Sequence, residues 1–270
     1  MKPLTLRLRH SVRQRIDMSV FTPQRLAGKP LREIEQIPLW QGNRQVPAGD
    51  LFCVSGDDSS NILIQSDSDR LDHIGDALSD GRIRVEGRAG AYLGRSMRGG
   101  FLHLQGDAGI FAGSGMSGGR IDIDGDAGDF LGAGIAGERR GMSGGEIRVL
   151  GNAGDRVGDQ MRRGAILIRG AAGDYCASRM VAGTILVMGR IGAQAGLAMR
   201  RGSLLLTSQP ASIPVTFNDN GVHDLDFLPL LTRSLLDDRT FPELGACGSR
   251  VRRWLGDLAC DGRGEILVWR

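Results

Sequence analysis

Asp122 and Asp124 stand two residues apart in a stretch that alternates apolar and polar residues, with Arg120 and Arg148 close by in the pattern. Two carboxylates on one strand face are the groups that a general acid and base for glycoside cleavage require. Carboxylates at i and i+2 on a twisted strand are more commonly solvated, and no neighbouring stretch repeats the acidic pair, so catalysis is not expected there. A second set, Asp129, Asp155 and Asp174, stacks carboxylates in successive turns. Calcium is one remedy for their repulsion, but the GGxGxDxUx nonapeptide of calcium-binding rolls is absent and arginines such as Arg156 offset the charge. They are expected to be structural turn residues. Cys53, Cys176, Cys247 and Cys260 show no CxxC spacing, and His10, His73, His103 and His223 lie far apart. The chain alone therefore offers no zinc or iron–sulfur ligand set, and no catalytic residue and no metal ligand is predicted.

Arginine is the remaining chemistry-bearing type. Only Lys2 and Lys29 of the 34 basic residues are lysine; a GC-rich genome accounts for that bias, while guanidinium forks for carboxylate or phosphate are the functional alternative. The net charge of +3 is too mild for a nucleic-acid binder. Several arginines follow methionines: Arg98, Arg162 with Arg163, and Arg200 with Arg201. These five are the predicted anion-binding residues, with an ion-pair edge facing a partner as the alternative.

The element that positions them is a repeat. Glycine makes up 42 of the 270 residues, and 31 of them crowd between Gly81 and Gly202. Collagen is excluded because no period of three runs through the segment, and disorder because apolar residues recur in fixed places. Units of the form G-x-[IL]-x-[IVL]-x-G-x-[AI]-G-x-x-x-[GA]-x-x-M begin at Gly81, Gly100, Gly119, Gly145, Gly164 and Gly183, with a truncated unit at Gly202. Five of the six steps are 19 residues and one is 26. Each unit opens on alternating buried positions such as Ile83 and Val85 or Ile166 and Ile168, which is strand patterning. A unit this small cannot bury its own apolar face, whereas stacked units pair strand to strand and share a core. The prediction is an all-β solenoid, a right-handed parallel β-helix of about seven Gly-rich coils spaced about 4.8 Å apart.

The methionines Met97, Met116, Met142, Met161, Met180 and Met199 should form an internal ladder filling one corner. A worn coil with Ile62, Ile64 and Leu78 in the corresponding slots starts the stack near residue 60. The longer step places an insertion between Gly132 and Met142, tipped by Glu138, Arg139 and Arg140: a contact loop or a tolerated excursion. The column Tyr92, Phe111, Phe130, Arg156, Tyr175, Gln194 is core if it points inward and a partner-covered face if it points outward, the latter being preferred. The outward strand position runs Arg84, His103, Asp122, Arg148, Leu167, Leu186, Leu205. Its leucines would form an exposed stripe, which the C-terminal segment is expected to cover, with a partner protein as the alternative.

The predicted organisation is an N-terminal α/β cap over residues 1–59, the β-helix over 60–207, and a C-terminal segment over 208–270 packed on its side. In the cap, LTLRLR reads as a strand and QRLAGKPLREIEQIPLW as a short helix ended before Pro38. FLPLLTRSLLDD and RVRRWLGDLA read as helical, and EILVW as a last strand. The N-terminus lacks the apolar core of a signal peptide, and no apolar run exceeds four residues, so neither membrane nor secretion is predicted and the expected location is cytoplasmic.

The coils GRAGAYLGRSMRGG (87–100) and GDAGIFAGSGMSGG (106–119), with the ending WLGDLACDGRGEILV (254–268), resemble the β-helix shared by the C subunit of formylmethanofuran dehydrogenase and the C-terminal domain of glutamate synthase. The resemblance covers roughly residues 60–270. The short chain and arginine-rich composition fit the bacterial relative of that C subunit, which belongs to the formyltransferase/hydrolase complex of methylotrophs. That resemblance implies partnership with A, B and D subunits in a complex moving a formyl group from formyl-tetrahydromethanopterin to a methanofuran-type carrier and releasing formate. It implies no catalytic residue and no cofactor held by this chain alone, and a polyglutamate-tailed carrier as the anion for the arginine corner. A glutamate-synthase-like interaction protein and a carbohydrate-active enzyme are the alternatives.

Overall fold

The structure is a computed structural model and describes residues 2–235 and 241–270. Thirteen strands form one sheet, most of it a parallel ladder. From strand Asp58–Ser66 the ladder passes through Arg82–Gly87, Arg98–Leu104, Ser117–Ile123, Ser143–Val149, Arg163–Ile168, Thr184–Val187 and Ser203–Leu206. Equivalent residues of successive repeats pair directly: Ile83 with Leu102, Ile121 with Ile147, and Ile185 with Leu204. A second parallel column, from Ala89 through Ala108, Ala127, Ala153 and Ala172 to Ile191, joins the same units further along each repeat. The 26-residue step leaves this register intact, so the insertion is a local excursion.

The alternation has the expected cause. Both apolar residues of every strand opening are buried, as are all six repeat methionines. A Cβ on Gly119, Gly145, Gly164, Gly183 or Gly202 would come within 2.5–2.8 Å of the methyl of Met97, Met116, Met142, Met161 or Met180 respectively. Each methionine thus fills the space left by the opening glycine two units on, which is why the two columns recur together. Leu78 is buried in the corresponding slot of the worn first unit.

The flanks depart from several expectations. Strand Pro3–Leu8 enters the main sheet, parallel to Asp58–Ser66 and antiparallel to Phe52–Ser55. The single helix expected after it is two short ones, Pro23–Leu26 and Leu31–Glu35. The break falls at Gly28, where φ is +75°, and at Pro30, which removes a backbone donor. Segment RVRRWLGDLA is not helical over its first part: Arg250–Gly256 is a strand, antiparallel to Asn218–Asp224 and to Gly264–Trp269. Its arginines find carboxylates across those strands, Arg252 on Asp219 and Arg253 on Glu265, at 3.0 Å in the latter pair. The last strand is the next rung of the ladder itself, since Leu204 pairs in parallel with Ile266 and Leu206 with Val268. The sheet therefore continues past residue 207.

Leu167, Leu186 and Leu205 are fully buried in a second apolar cluster with Leu228 and Leu235 of helix Phe227–Leu235, Phe241, Leu244, Val251 and Leu267. The covering begins one rung earlier than the leucines. Arg148 is only 2% exposed, ion-paired with Glu146 and donating to the Leu235 carbonyl at 3.3 Å.

Candidate functional site

The carboxylates suited to acid–base chemistry are occupied. Asp122 accepts both arms of the Arg120 guanidinium at 2.7 Å, and Asp124 contacts His103 Nε2 at 3.0 Å. Arg148, the register partner of Asp122 on the next strand, is ion-paired with Glu146 and donates to the Leu235 carbonyl in the buried cover. A carboxylate gripped by both arms of an arginine is fixed in orientation by that pairing, which is the arrangement of a structural ion pair.

The turn aspartates act as caps between rungs. Asp129 Oδ1 accepts the Asp155 N–H at 2.8 Å, Asp155 Oδ1 that of Asp174 at 2.8 Å, and Asp174 Oδ1 that of Ala193 at 2.7 Å. A parallel series runs from Asp107 to the N–H of Asp126, Asp126 to Asn152, and Asn152 to Ala171. Each turn thereby satisfies the backbone donor of its successor. No group of three or more His, Cys, Asp and Glu able to hold a metal occurs among the described residues.

The aromatic column lies outside the core. Tyr92, Phe111 and Phe130 have φ near +60° and stack with centroids 5.5 and 4.6 Å apart, half-buried on one another. His73 extends the stack onto Tyr92 at 4.8 Å, and Arg156 lies over the Tyr175 ring at 4.7 Å. The Asp76 carboxylate beside His73 raises the imidazole pKa above its ordinary value against the opposing effect of burial.

The five predicted arginines do not act as one row. Arg162 and Arg200 enter a groove of 480 Å³ that Arg179 and Arg139 also line, with Gln160 and Cys260 among its walls. Arg98 lies three rungs away from Arg162, beyond Ser117 and Ser143, and Arg163 and Arg201 are exposed outside the groove. Arg179 grips Asp159, which is only 2% exposed and also accepts the Ser178 hydroxyl at 3.0 Å. Arg139 belongs to the insertion that the sequence marks as a contact loop or a tolerated excursion, and Arg179 is not among the predicted residues. Arg179 carries a readable signal, being the one charged residue in the column Ser96, Gly115, Gln160, Arg179, Ala198. For Arg139 the signal is the long repeat step itself, while its place beside Arg162 and Arg200 depends on the folded loop.

This geometry stands beside a clear set of relatives. The GXGXG motif family matches residues 65–227. The chain belongs to that family. The C subunit of the formyltransferase/hydrolase complex Fhc of Methylorubrum extorquens is 43% identical over 89 residues, 33% of this chain and 34% of that protein. The C subunit of molybdenum-containing formylmethanofuran dehydrogenase 1 of Methanosarcina barkeri is 35% identical over 84 residues, 29% of this chain and 28% of the relative. The aligned stretches thus span about a third of these curated relatives. The crystal structure of the FhcABCD complex from Methylorubrum extorquens with methylofuran contains a chain matching at a TM-score of 0.91 and 42% identity, over 98% of both chains. Within the GXGXG family the chain is a relative of the formylmethanofuran dehydrogenase C subunits.

Proposed function

We propose that the chain is the C subunit of a cytoplasmic formyltransferase/hydrolase complex and serves it as a non-catalytic scaffold beside A, B and D subunits. The complex moves formyl from formyl-tetrahydromethanopterin to a methanofuran-type carrier and releases formate. The observation that carries this reading is the end-to-end match to a chain crystallised within FhcABCD. The carboxylate clusters of the strand and turn faces are spent on structure, which supports a scaffold over an enzyme. In the fold we propose, the repeats close into a right-handed parallel β-helix over residues 60–207, capped by 1–59 and flanked by 208–270. Two parallel columns per unit support it, and parallel strands joined through a crossover take the right-handed sense. Mass spectrometry of material captured on a tagged full-length chain is expected to find the larger subunits, while the chain purified alone releases no formate from formyl-methanofuran. Formate release by the chain alone would overturn the scaffold assignment.

The arginine edge of Arg98, Arg162, Arg163, Arg200 and Arg201 is assigned to the polyglutamate tail of the carrier. In the assembled complex, charge removal at Arg162, Arg163, Arg200 and Arg201 raises the apparent KM for the carrier, with the effect shrinking as salt screens the wild-type contacts. Unchanged carrier kinetics at low salt in a normally assembled variant would reduce these arginines to surface groups.

A further inference from the structure

The aromatic column has an unfilled place at its N-terminal end. Its members share one backbone contact, in which each N–H donates to the carbonyl just before the next member: His73 to Ala91, Tyr92 to Ile110 and Phe111 to Asp129. Met18 donates in the same way to Asp72, so it stands one rung before His73. The members from His73 to Gln194 have φ between +56° and +64°, whereas Met18 has no positive φ and is fully buried. Lacking the left-handed turn that carries the other side chains outward, Met18 packs into the core and gives the outward place no side chain.

That place opens on a hollow. Tyr92 covers one face of the His73 ring, and the ring also lines a space of 430 Å³ with Arg15, Asp17, Trp40 and Asp72. Strand Ile16–Asp17 pairs with Leu71–Asp72 on one side and Pro38–Gln41 on the other, which brings Asp17, Asp72 and the 54% exposed Trp40 onto adjacent strands. Charge in the hollow selects a cation: Asp72 is paired with Arg15 at 2.7 Å, and Asp17 has no ion pair among the described residues. Shape selects a flat one. Towards the far end of the column the chain supplies its own, with Arg156 over the Tyr175 ring. A guanidinium stacks on an aromatic face and pairs with a carboxylate through its edge. On an open surface that contact is too weak to hold a free small cation, so the guanidinium comes attached to a protein. Exposed Ile110, beside the column, extends the surface such a protein meets.

We propose that this hollow is a docking site for an arginine side chain of a partner subunit, its guanidinium stacked on His73 beside Trp40 and paired with Asp17. That the partner is a subunit rests on the scaffold reading; the preference for a guanidinium does not. Protonation of His73 sets a like charge against the guest. The groups facing its ring are Asp76 on its own turn, Asp17, Asp72 and Arg15 around the hollow, and Tyr92 and Arg95 from the next unit. Histidine is the one among them that ordinarily changes charge near neutral pH. Its pKa is raised above 6.5, chiefly by Asp76, so docking is expected to weaken as the pH falls through that raised value. His73→Phe keeps the stack and removes the pH dependence, since Phe111 and Phe130 already hold the same backbone turn.

The chemistry is tested on the full-length chain, titrated with N-acetylarginine amide or N-acetyllysine amide while the Trp40 indole and His73 ring signals are followed by NMR. The arginine probe is expected to shift both signals saturably, at concentrations about threefold or more below those the lysine probe needs. Asp17→Asn removes this preference, and Asp226→Asn, beside the C-terminal helix, keeps it. Equal response to the two probes, or equal loss in the two variants, overturns the site. The occupant is tested in the complex captured on the tagged chain, with p-benzoylphenylalanine in place of Trp40. Irradiation is expected to crosslink a partner peptide that contains an arginine, and exchange of that arginine for leucine removes the crosslink. A crosslinked peptide without arginine, or an assembled complex with no crosslink, overturns the docking assignment. Failure of the scaffold reading shows itself separately, as a tagged chain that captures no subunits while the arginine preference persists and the guanidinium site stands.

Discussion

Gly87→Ala is expected to cost the protein most of its soluble yield, and any soluble fraction is expected to unfold on the order of 10 °C below the parent chain. Gly87 adopts a φ of +113°, outside the range an L side chain accepts without strain, and its Cβ would lie 1.9 Å from the Ser66 carbonyl oxygen. Neither partner is free to give way. Gly87 pairs with Ser66 in the ladder, so both backbones are pinned by adjacent rungs. Strain of about 1–3 kcal/mol adds to an overpacking cost of about 1–3 kcal/mol, and each kcal/mol lowers the midpoint of a chain this size by about 2–4 °C. Gly137→Ala is the matched control: φ is +89° on the insertion, but nothing lies within 4 Å of the added carbon. It should lose only the strain. Thermal melts followed by circular dichroism decide the matter, and melting points within about 2 °C of each other would mean that the rungs are not packed as tightly as the register requires.

The parts of this architecture that the amino-acid pattern announces are those in which neighbours in space sit one period apart in sequence. Ile121 pairs with Ile147 and Met116 fits over Gly145 because the same residue types recur at the same place in each unit. Contacts that skip the period leave a fainter trace. The rung Gly264–Trp269 follows Ser203–Leu206 in space after an excursion of more than fifty residues. Its Gly-Glu-Ile-Leu-Val does match the opening of a repeat unit, a signal that was there to be read. Arg250–Gly256 looks helical in isolation because the partners of its arginines, Asp219 and Glu265, lie on strands that only the fold brings beside it. The arginine edge was half legible for a similar reason. Arg162 and Arg163 are neighbours in sequence, but strand Arg163–Ile168 begins between them and sends the two side chains apart, one to the groove and one to solvent.

Removal of residues 208–270 is expected to convert the protein into an aggregating species rather than a merely less stable monomer. The segment supplies Leu228, Leu235, Phe241, Leu244, Val251 and Leu267 to the cluster that buries Leu167, Leu186 and Leu205, each of them fully buried in the intact chain. Exposing a leucine side chain forfeits about 1.5–3 kcal/mol, so the three together represent roughly 5–9 kcal/mol, most of the net stability of an average domain. The same cut strips Gly264–Trp269 from Ser203–Leu206 and leaves that parallel strand with an unpaired edge. An apolar stripe adjoining an open edge is a template for association with a second copy. Size-exclusion chromatography of the truncated chain should therefore give void-volume material, and Leu167→Lys with Leu205→Lys in the same truncated chain should return part of it to the monomer position. The two changes act on the stripe and not on the edge, so the recovery measures how much of the association the leucines drive. A truncated chain that elutes as a monomer and melts with the intact protein would mean that the C-terminal cover contributes nothing to the stack beneath it.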